Sequence, residues 1–447
     1  MGEFPRGRGD AAGKRATNGR RRLLTTAAGI GTASLAGCLG DRDLGDIVVG
    51  STDGSEEPVT IGVLAPDPDG DFIGRSMAQA ASVAVDELRN RGGIDGHDVE
   101  LVVGDTAANP LEARREYHRL ILEEGADVTV GVFDSPSLEY LMDDIAEQET
   151  LHLTTGAATA RASELVREEY DRYKYHFRVG PTNEYDLGLS VVDFVNEMGP
   201  EIGWDTIAVL VEDYPWADGP WQVYHEQFPW TSVDVVLEER YPPAIDDFEG
   251  LYDRVAEAGA DAALVGTAHT GTEALLDWSY PNRPDPDPEP YGFAFGGTHV
   301  PMQLPTYWER TGGACRYGFS NVSATATSDV GALTQQFVSD YEDAFGSTPI
   351  YTGYHTYEAI LMYAEAVEQE GSLDADDLVP ALETMSFDGA TGTIEFYDRD
   401  HDYPHDLEYR KSETLFFQWQ ERDGEGVQEV IWPEKHATSD YVHPHWV

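Results

Sequence analysis

Short apolar segments alternate with amphipathic helical segments through most of this chain of 447 residues. Apolar residues at 74–91 recur at helical spacing, and Gly92-Gly93 ends that helix. A later helix has Asn109 as its predicted N-cap and Pro110 at its first position. Strands are predicted at 59–65, 99–103, 128–133 and 151–154. This alternation indicates an α/β fold with a parallel sheet covered by helices on both faces.

The same alternation resumes beyond a connection near Gly180. A single core seldom grows to this chain length, so we expect a second α/β lobe. Pro281 to Pro290 predicts a surface loop that excludes helix. Short strands at 393–396 and 415–420 could complete both sheets. The other predicted elements are strands at 206–211, 233–237, 262–265 and 292–295 and helices at 183–198, 246–258, 272–279, 329–345 and 353–370.

Acidic residues dominate the charge, with 83 Asp and Glu against 29 Lys and Arg, for a formal net charge of -54. Concentrated salt screens such repulsion within a few ångströms, so this composition is typical of proteins from near-saturated brine, and we expect a halophilic source. Nucleic acid is excluded as a partner, because binding phosphates requires basic stripes.

The first 37 residues differ in composition from the acidic remainder of the chain, since Arg20, Arg21 and Arg22 precede a mildly apolar run of small residues. This layout predicts an export signal of the twin-arginine type. Leu35-Ala-Gly-Cys38 is similar to a lipobox, in which Cys38 would become the lipidated first residue; a chance cysteine is the alternative. Residues 38–57 lack apolar periodicity and predict a flexible tether. We therefore expect a protein anchored by lipid on the outer face of the cell membrane.

Several segments resemble the start of the leucine/isoleucine/valine-binding-protein family, which has the type I periplasmic binding fold. They are Ile61 to Pro66, Gly74, Ala84 to Leu88, Gly92 to Gly96 and Asp105. Further segments fit in order at 130–137, 154–159, 177–181, 208–219 and 416–424. The resemblance covers roughly residues 58–425, and the ordered spacing carries it rather than any single motif.

The resemblance implies two Rossmann-like lobes with central, mostly parallel sheets joined by three hinge crossovers, and a ligand in the cleft between them. Lobe 1 would comprise 58–180 plus 322–400, and lobe 2 would comprise 181–321 plus 401–447. The family implies a monomer that delivers a small molecule to ABC permease and ATPase subunits, without cofactor or catalysis. The alternative is a ligand-sensing receptor that signals to a separate membrane partner.

Two loops of lobe 1 supply ligand candidates. Ser135 and Ser137 follow the third strand, and the carboxylate-binding serine of the family falls here; an ordinary helix N-cap is the alternative. Ala157, Ala158 and Thr159 follow the next strand, where the resemblance implies backbone groups and a hydroxyl for the ligand. A turn of small residues is the alternative there.

Loops of lobe 2 supply the other candidates. Trp216 falls where the family usually has a ligand-covering tyrosine, although a core aromatic is the commoner role of such a residue. His269, Thr298 and His299 fall on the remaining ligand loops. Amino-acid binders of the family usually place a carboxylate near the last position, so Thr298-His299 favours amides or urea-like solutes beside branched-chain amino acids.

Motifs of catalysis and metal binding are missing from the sequence, which has no phosphate loop, nucleophile elbow or H-E-x-x-H. Four histidines near the end of the chain predict solvated loop positions rather than a metal site: His401, His405, His443 and His445. Cys315 is the only cysteine besides Cys38, so no disulfide within the mature fold is expected.

Overall fold

The computed structural model describes residues 57–279, 290–412 and 414–447. The predicted export signal, Cys38, the tether up to residue 56 and the loop at 281–289 lie outside the described residues. The strands are β1 (Val59–Ala65), β2 (Val99–Asp105), β3 (Val128–Gly131), β4 (Leu151–Thr154), β5 (His176–Arg178), β6 (Thr206–Glu212), β7 (Asp234–Tyr241), β8 (Ala262–Thr267), β9 (Ala294–His299), β10 (Phe319–Val322), β11 (Phe387–Asp388), β12 (Thr393–Ile394), β13 (Leu415–Arg422) and β14 (Glu425–Trp432).

The helices include most of those that the sequence predicts. Asn109 caps α2 as expected, since its side chain accepts hydrogen bonds from the Leu111 and Glu112 N–H groups. The helices are α1 (Phe72–Arg91), α2 (Pro110–Leu122), α3 (Ser135–Gln148), α4 (Arg161–Glu168), α5 (Tyr170–Tyr173), α6 (Glu184–Ile202), α7 (Asp218–Gln227), α8 (Glu249–Ala258), α9 (Glu273–Ser279), α10 (Tyr307–Arg310), α11 (Thr334–Phe345), α12 (Tyr351–Glu370) and α13 (Ala375–Thr384).

Two sheets organise the chain. The first is parallel in the order β2-β1-β3-β4-β5. The second has the order β14-β13-β10-β9-β8-β6-β7, with β13 antiparallel to both of its neighbours. Strands such as β1 and β8 are buried along their whole length, whereas the edge strand β7 alternates exposed and partly buried residues. The predicted α/β class with mostly parallel sheets is confirmed.

Three segments of the chain connect the two sheets. The first follows β5 at Gly180 and leads into α6, the second follows β10 at Ser323, and the third precedes β13. Between the second and third connections, α11 and α12 pack against α1 on the first sheet. The predicted three crossovers are thereby confirmed, while the lobe boundaries at 58–180 plus 322–400 and at 181–321 plus 401–447 stay a prediction.

Some elements differ from the sequence-based expectation. The strand predicted at 393–396 was expected in a main sheet, but β12 pairs only with β11 in a separate two-stranded sheet. Strands β10 and β14 were missed. Polar Ser320 and Asn321 occupy the middle of β10, yet both are buried, so the apolar pattern of a buried strand is interrupted there.

Candidate functional site

A cavity of about 900 Å³, counting space open to solvent, lies where the carboxyl ends of strands from both sheets meet the three connections. Open α/β sheets bind their ligands at such strand ends. The walls combine large apolar side chains with many polar ones. The lining includes Phe133, Asp134, Ser135, Ala158, Leu187, Tyr214, Trp216, His269, Thr298, Val300, Ser323, Tyr351 and His355.

A strained turn directs the loop after β3 toward the cavity. Gly131 has φ 120° and Val132 has φ 63°, a left-handed conformation that costs a β-branched residue about 1–3 kcal/mol. A Cβ on Gly131 would lie 2.4 Å from the Leu64 carbonyl oxygen, so glycine is required at that position. The turn ends β3 two residues before its predicted end and leads directly to the lining residues 133–135.

The cap of α3 uses only one of the two carboxylate oxygens of Asp134. Asp134 Oδ2 accepts hydrogen bonds from the Ser137 N–H at 3.1 Å and from the Ser137 hydroxyl at 2.6 Å. Asp134 Oδ1 has no hydrogen-bond partner among the described residues, although Asp134 is only 8% exposed and lines the cavity. The N-cap interpretation therefore holds for Asp134, and the Ser137 hydroxyl is already engaged in that cap.

A buried ion pair supports the loop after β4. The Arg178 guanidinium donates to the Ala157 and Thr159 carbonyl oxygens, and its Nε lies 2.8 Å from Asp406 Oδ1. The Ser135 hydroxyl oxygen accepts a hydrogen bond from the Thr159 N–H at 3.2 Å, which leaves its own proton free to donate. Ala158 thereby faces the cavity from a loop that is held at two carbonyl groups.

Glu184 ties this loop to the opposite side of the cavity. Its carboxylate accepts hydrogen bonds from the Ala160 N–H at 2.8 Å, at the N-cap of α4, and from the Gly219 N–H at 3.1 Å, in the first turn of α7. Burial raises the pKa of the Glu184 carboxyl to about 7, although both N–H groups act in the opposite direction. Nothing in the local sequence distinguishes this glutamate from its many exposed neighbours.

A buried carboxylate organises the second-sheet wall. Glu212 Oε1 accepts from Trp216 Nε1 at 2.6 Å and lies 2.8 Å from His269 Nδ1. Burial acts to raise the pKa of the Glu212 carboxyl, but the hydrogen bond and charge of His269, with the Trp216 and backbone N–H groups, hold that pKa below its ordinary value. Glu212 thus fixes two side chains that line the cavity, and the sequence interpretation missed it.

The structure brings five of the nine candidate ligand residues together on the cavity: Ser135, Ala158, Trp216, His269 and Thr298. The other four do not line it: Ser137, Ala157, Thr159 and His299. His299 is fully buried, and its burial lowers the pKa of the imidazole to about 4. A ligand-binding role for each of the nine residues stays a prediction.

One predicted solvated histidine is wrong. His405 is fully buried, stacks on the Phe177 ring at a centroid distance of 3.9 Å, and lies 3.0 Å from a Glu383 carboxylate oxygen through Nε2. Because β5 and the loop at 405 lie side by side, the ring fills the first-sheet core instead of facing water. No group of His, Cys, Asp or Glu within the described part of the chain is arranged to hold a metal ion.

The family model described as periplasmic binding protein matches residues 58–282 and 285–413. The chain belongs to this family. Periplasmic binding proteins are extracytoplasmic solute-binding proteins rather than enzymes. The Leu/Ile/Val-binding protein homolog 8 of Brucella abortus is 25% identical over 383 residues, which cover 82% of this chain and 88% of that protein.

Solved periplasmic binding proteins share the fold of this one. The branched-chain amino acid substrate-binding protein of Streptococcus pneumoniae, in complex with isoleucine, has a TM-score of 0.67 at 17% identity and covers 84% of this chain and 100% of its own. The ABC-transporter solute-binding protein of Rhodopseudomonas palustris, in complex with 3,4-dihydroxybenzoic acid, has a TM-score of 0.68 at 20% identity, with coverage of 87% and 99%. Across the described ranges, no helix has the length and apolar character of a membrane span.

Proposed function

We propose that this periplasmic binding protein is the lipid-anchored solute-binding component of an ABC importer for a branched-chain amino acid or a related small amide- or urea-like solute. The cavity carries this proposal, because its walls come from strand ends of both sheets and combine apolar with polar side chains. The relatives support the same class, since one is named for leucine, isoleucine and valine and another holds isoleucine.

Closure around the solute is the mechanism that follows from three connections between the sheets. Rotation at these connections would bring Ser135 and Ala158 toward Trp216 and His269, so that a few polar contacts act with little competing water. No bond in the solute is made or broken, and release to the permease reverses the motion.

A selective solute should stabilise the folded protein and compact it. At about 100 times its Kd, a ligand that binds only the folded state stabilises it by about 2.7 kcal/mol. We expect one class within a panel of branched-chain amino acids, amides, urea and hydroxybenzoates to raise the thermal unfolding temperature in multimolar salt. Small-angle X-ray scattering should show a smaller radius of gyration with that solute. Absence of both effects across the panel would contradict solute capture.

The anchor is proposed on sequence grounds alone, from the lipobox-like Leu35 to Cys38. In the native host, Cys38→Ser should move the protein from the membrane fraction to the soluble extracytoplasmic fraction, because a lipidated cysteine would hold the chain at the bilayer. Cell fractionation followed by immunoblotting measures this shift. Retention of the serine variant in the membrane would refute lipidation at Cys38.

A further inference from the structure

Residues 395–412, the strap, precede β13 and lie along the edge of the first sheet. The last strand of that sheet is β5, and its Arg178 N–H donates a hydrogen bond to the His405 carbonyl oxygen at 2.9 Å. Arg178 also forms a parallel bridge with Asp406, and Phe396 bridges to Leu407 within the strap. The strap therefore continues the first sheet beyond β5.

Buried contacts fix the strap to the first sheet. Arg178 and Asp406 form an ion pair between two fully buried side chains, and the His405 ring stacks on Phe177. His405 has φ 65°, a left-handed conformation that persists in a residue other than glycine only where the surrounding contacts determine it. We therefore expect the strap to move with the first sheet.

Helix α6, in contrast, is packed against the second sheet. Val191, Phe194 and Val195 are buried in the apolar cluster beside that sheet. The Phe194 ring stacks on Phe416 of β13 at a centroid distance of 4.0 Å, and α6 packs along α7. Because the strap belongs to one sheet and α6 to the other, rotation between the sheets moves α6 relative to the strap.

Two tyrosine hydroxyls join the strap to α6. The Tyr397 hydroxyl donates a hydrogen bond to Asp186 Oδ2 at 3.1 Å, and the Tyr409 hydroxyl donates one to Asp193 Oδ2 at 2.9 Å. Asp186 and Asp193 are seven residues, or about 10 Å, apart along the helix. Contacts spread over this length resist tilting of α6 relative to the strap.

Further contacts between the strap and α6 are weaker. The Tyr403 ring stacks on Tyr185 at a centroid distance of 5.3 Å. Arg410 Nη1 lies 2.8 Å from Asp193 Oδ2, but its side chain is 69% exposed, so salt screens this ion pair. The two partly buried hydrogen bonds of Tyr397 and Tyr409 are therefore the main polar links.

The strap and α6 also meet the solute cavity. Leu407 and Ser412 of the strap line it, and so does Leu187 of α6. Movement of α6 along the strap therefore changes the shape of the cavity wall.

We propose that the strap is a brake on the hinge: Tyr397 and Tyr409 hold α6 against the first sheet, and the solute-free protein opens further only when these two hydrogen bonds break. The brake sets how often the cavity opens. It acts whatever solute the cavity takes.

Pulsed electron paramagnetic resonance between two spin labels measures this opening without solute. Leu111 on α2 is 66% exposed and Trp230 after α7 is 86% exposed, so they offer label sites on the two sides. In the full chain, Cys38→Ser leaves the buried Cys315 as the only native thiol. The reference protein carries this change with Leu111→Cys and Trp230→Cys.

Tyr397→Phe combined with Tyr409→Phe should broaden the distance distribution of the reference protein. Each lost hydrogen bond should raise the ratio of open to described conformations about tenfold, and each single variant should lie between the reference and the double variant. Asp186 keeps the Asn183 side-chain amide at 3.0 Å and Asp193 keeps Arg410, so neither carboxylate loses its last partner.

The matched control is Tyr175→Phe. The Tyr175 hydroxyl donates to Asp376 Oδ1 at 2.9 Å, and both residues lie on the first-sheet side, so this variant should keep the reference distribution. Urea unfolding midpoints establish that each variant is folded. An unchanged distribution in the folded double variant, or equal broadening in Tyr175→Phe, would overturn the brake. Neither result bears on solute capture, which fails separately if no solute of the panel binds.

Discussion

Arg178→Met should be the most destabilising single substitution near the cavity, costing about 3–5 kcal/mol of a total unfolding free energy of about 5–15 kcal/mol. Arg178 and Asp406 are both fully buried, with Nε and Oδ1 2.8 Å apart. Methionine fills a similar volume but leaves the Asp406 carboxylate and the carbonyl oxygens of Ala157 and Thr159 without the guanidinium. Urea denaturation followed by circular dichroism measures the loss.

Two further variants separate charge from geometry at this ion pair. Arg178→Lys keeps the charge but not the planar fork, so it should lie between the wild type and Arg178→Met. The double substitution Arg178→Met with Asp406→Leu should recover part of the loss, since no unpaired charge remains buried. A cost below about 1 kcal/mol for Arg178→Met would show that the ion pair does not support the loop after β4.

Trp216→Ala should weaken solute binding about hundredfold, or by about 2.8 kcal/mol, because truncating a buried aromatic at the centre of a binding surface costs about 2–4 kcal/mol. Trp216 is 8% exposed, packs in the apolar cluster beside the second sheet and lines the cavity. Its indole Nε1 also donates to Glu212 at 2.6 Å, so the substitution removes both a wall and a donor. Isothermal titration with the best solute of the panel measures the change.

Trp216→Phe separates these two contributions, since it keeps an aromatic surface but removes the indole N–H. We expect an intermediate affinity from this variant. Trp230→Ala is the control, because Trp230 is 86% exposed and does not line the cavity. If the solute affinity of Trp216→Ala stays within about twofold of wild type, Trp216 does not cover the ligand and its role is limited to packing.

Most strands and helices around the first sheet were predictable because local signals define their ends. Asn109 caps α2 and glycines end α1, and each of these signals lies within a few residues of the helix end that it defines. Ser135 and Trp216 were assigned to the site from the family resemblance, because the local pattern alone left an ordinary N-cap and a core aromatic open. Ser323 was missed together with β10, whose buried Ser320 and Asn321 hide the strand.

The sequence by itself determined the α/β alternation and the division into two sheets, because strand and helix periodicity are properties of neighbouring residues. The loops that carry Ser135, Ala158, Trp216, His269 and Thr298 were assigned from the resemblance to the family. Only the tertiary structure decided which polar groups meet. Arg178 pairs with Asp406 across 228 residues, and Glu358 of α12 meets the amide groups of the loop at 390 and 391. A buried polar group needs a hydrogen-bond partner, and tertiary packing decides which residue becomes that partner. A local sequence pattern cannot identify a partner so distant in the chain.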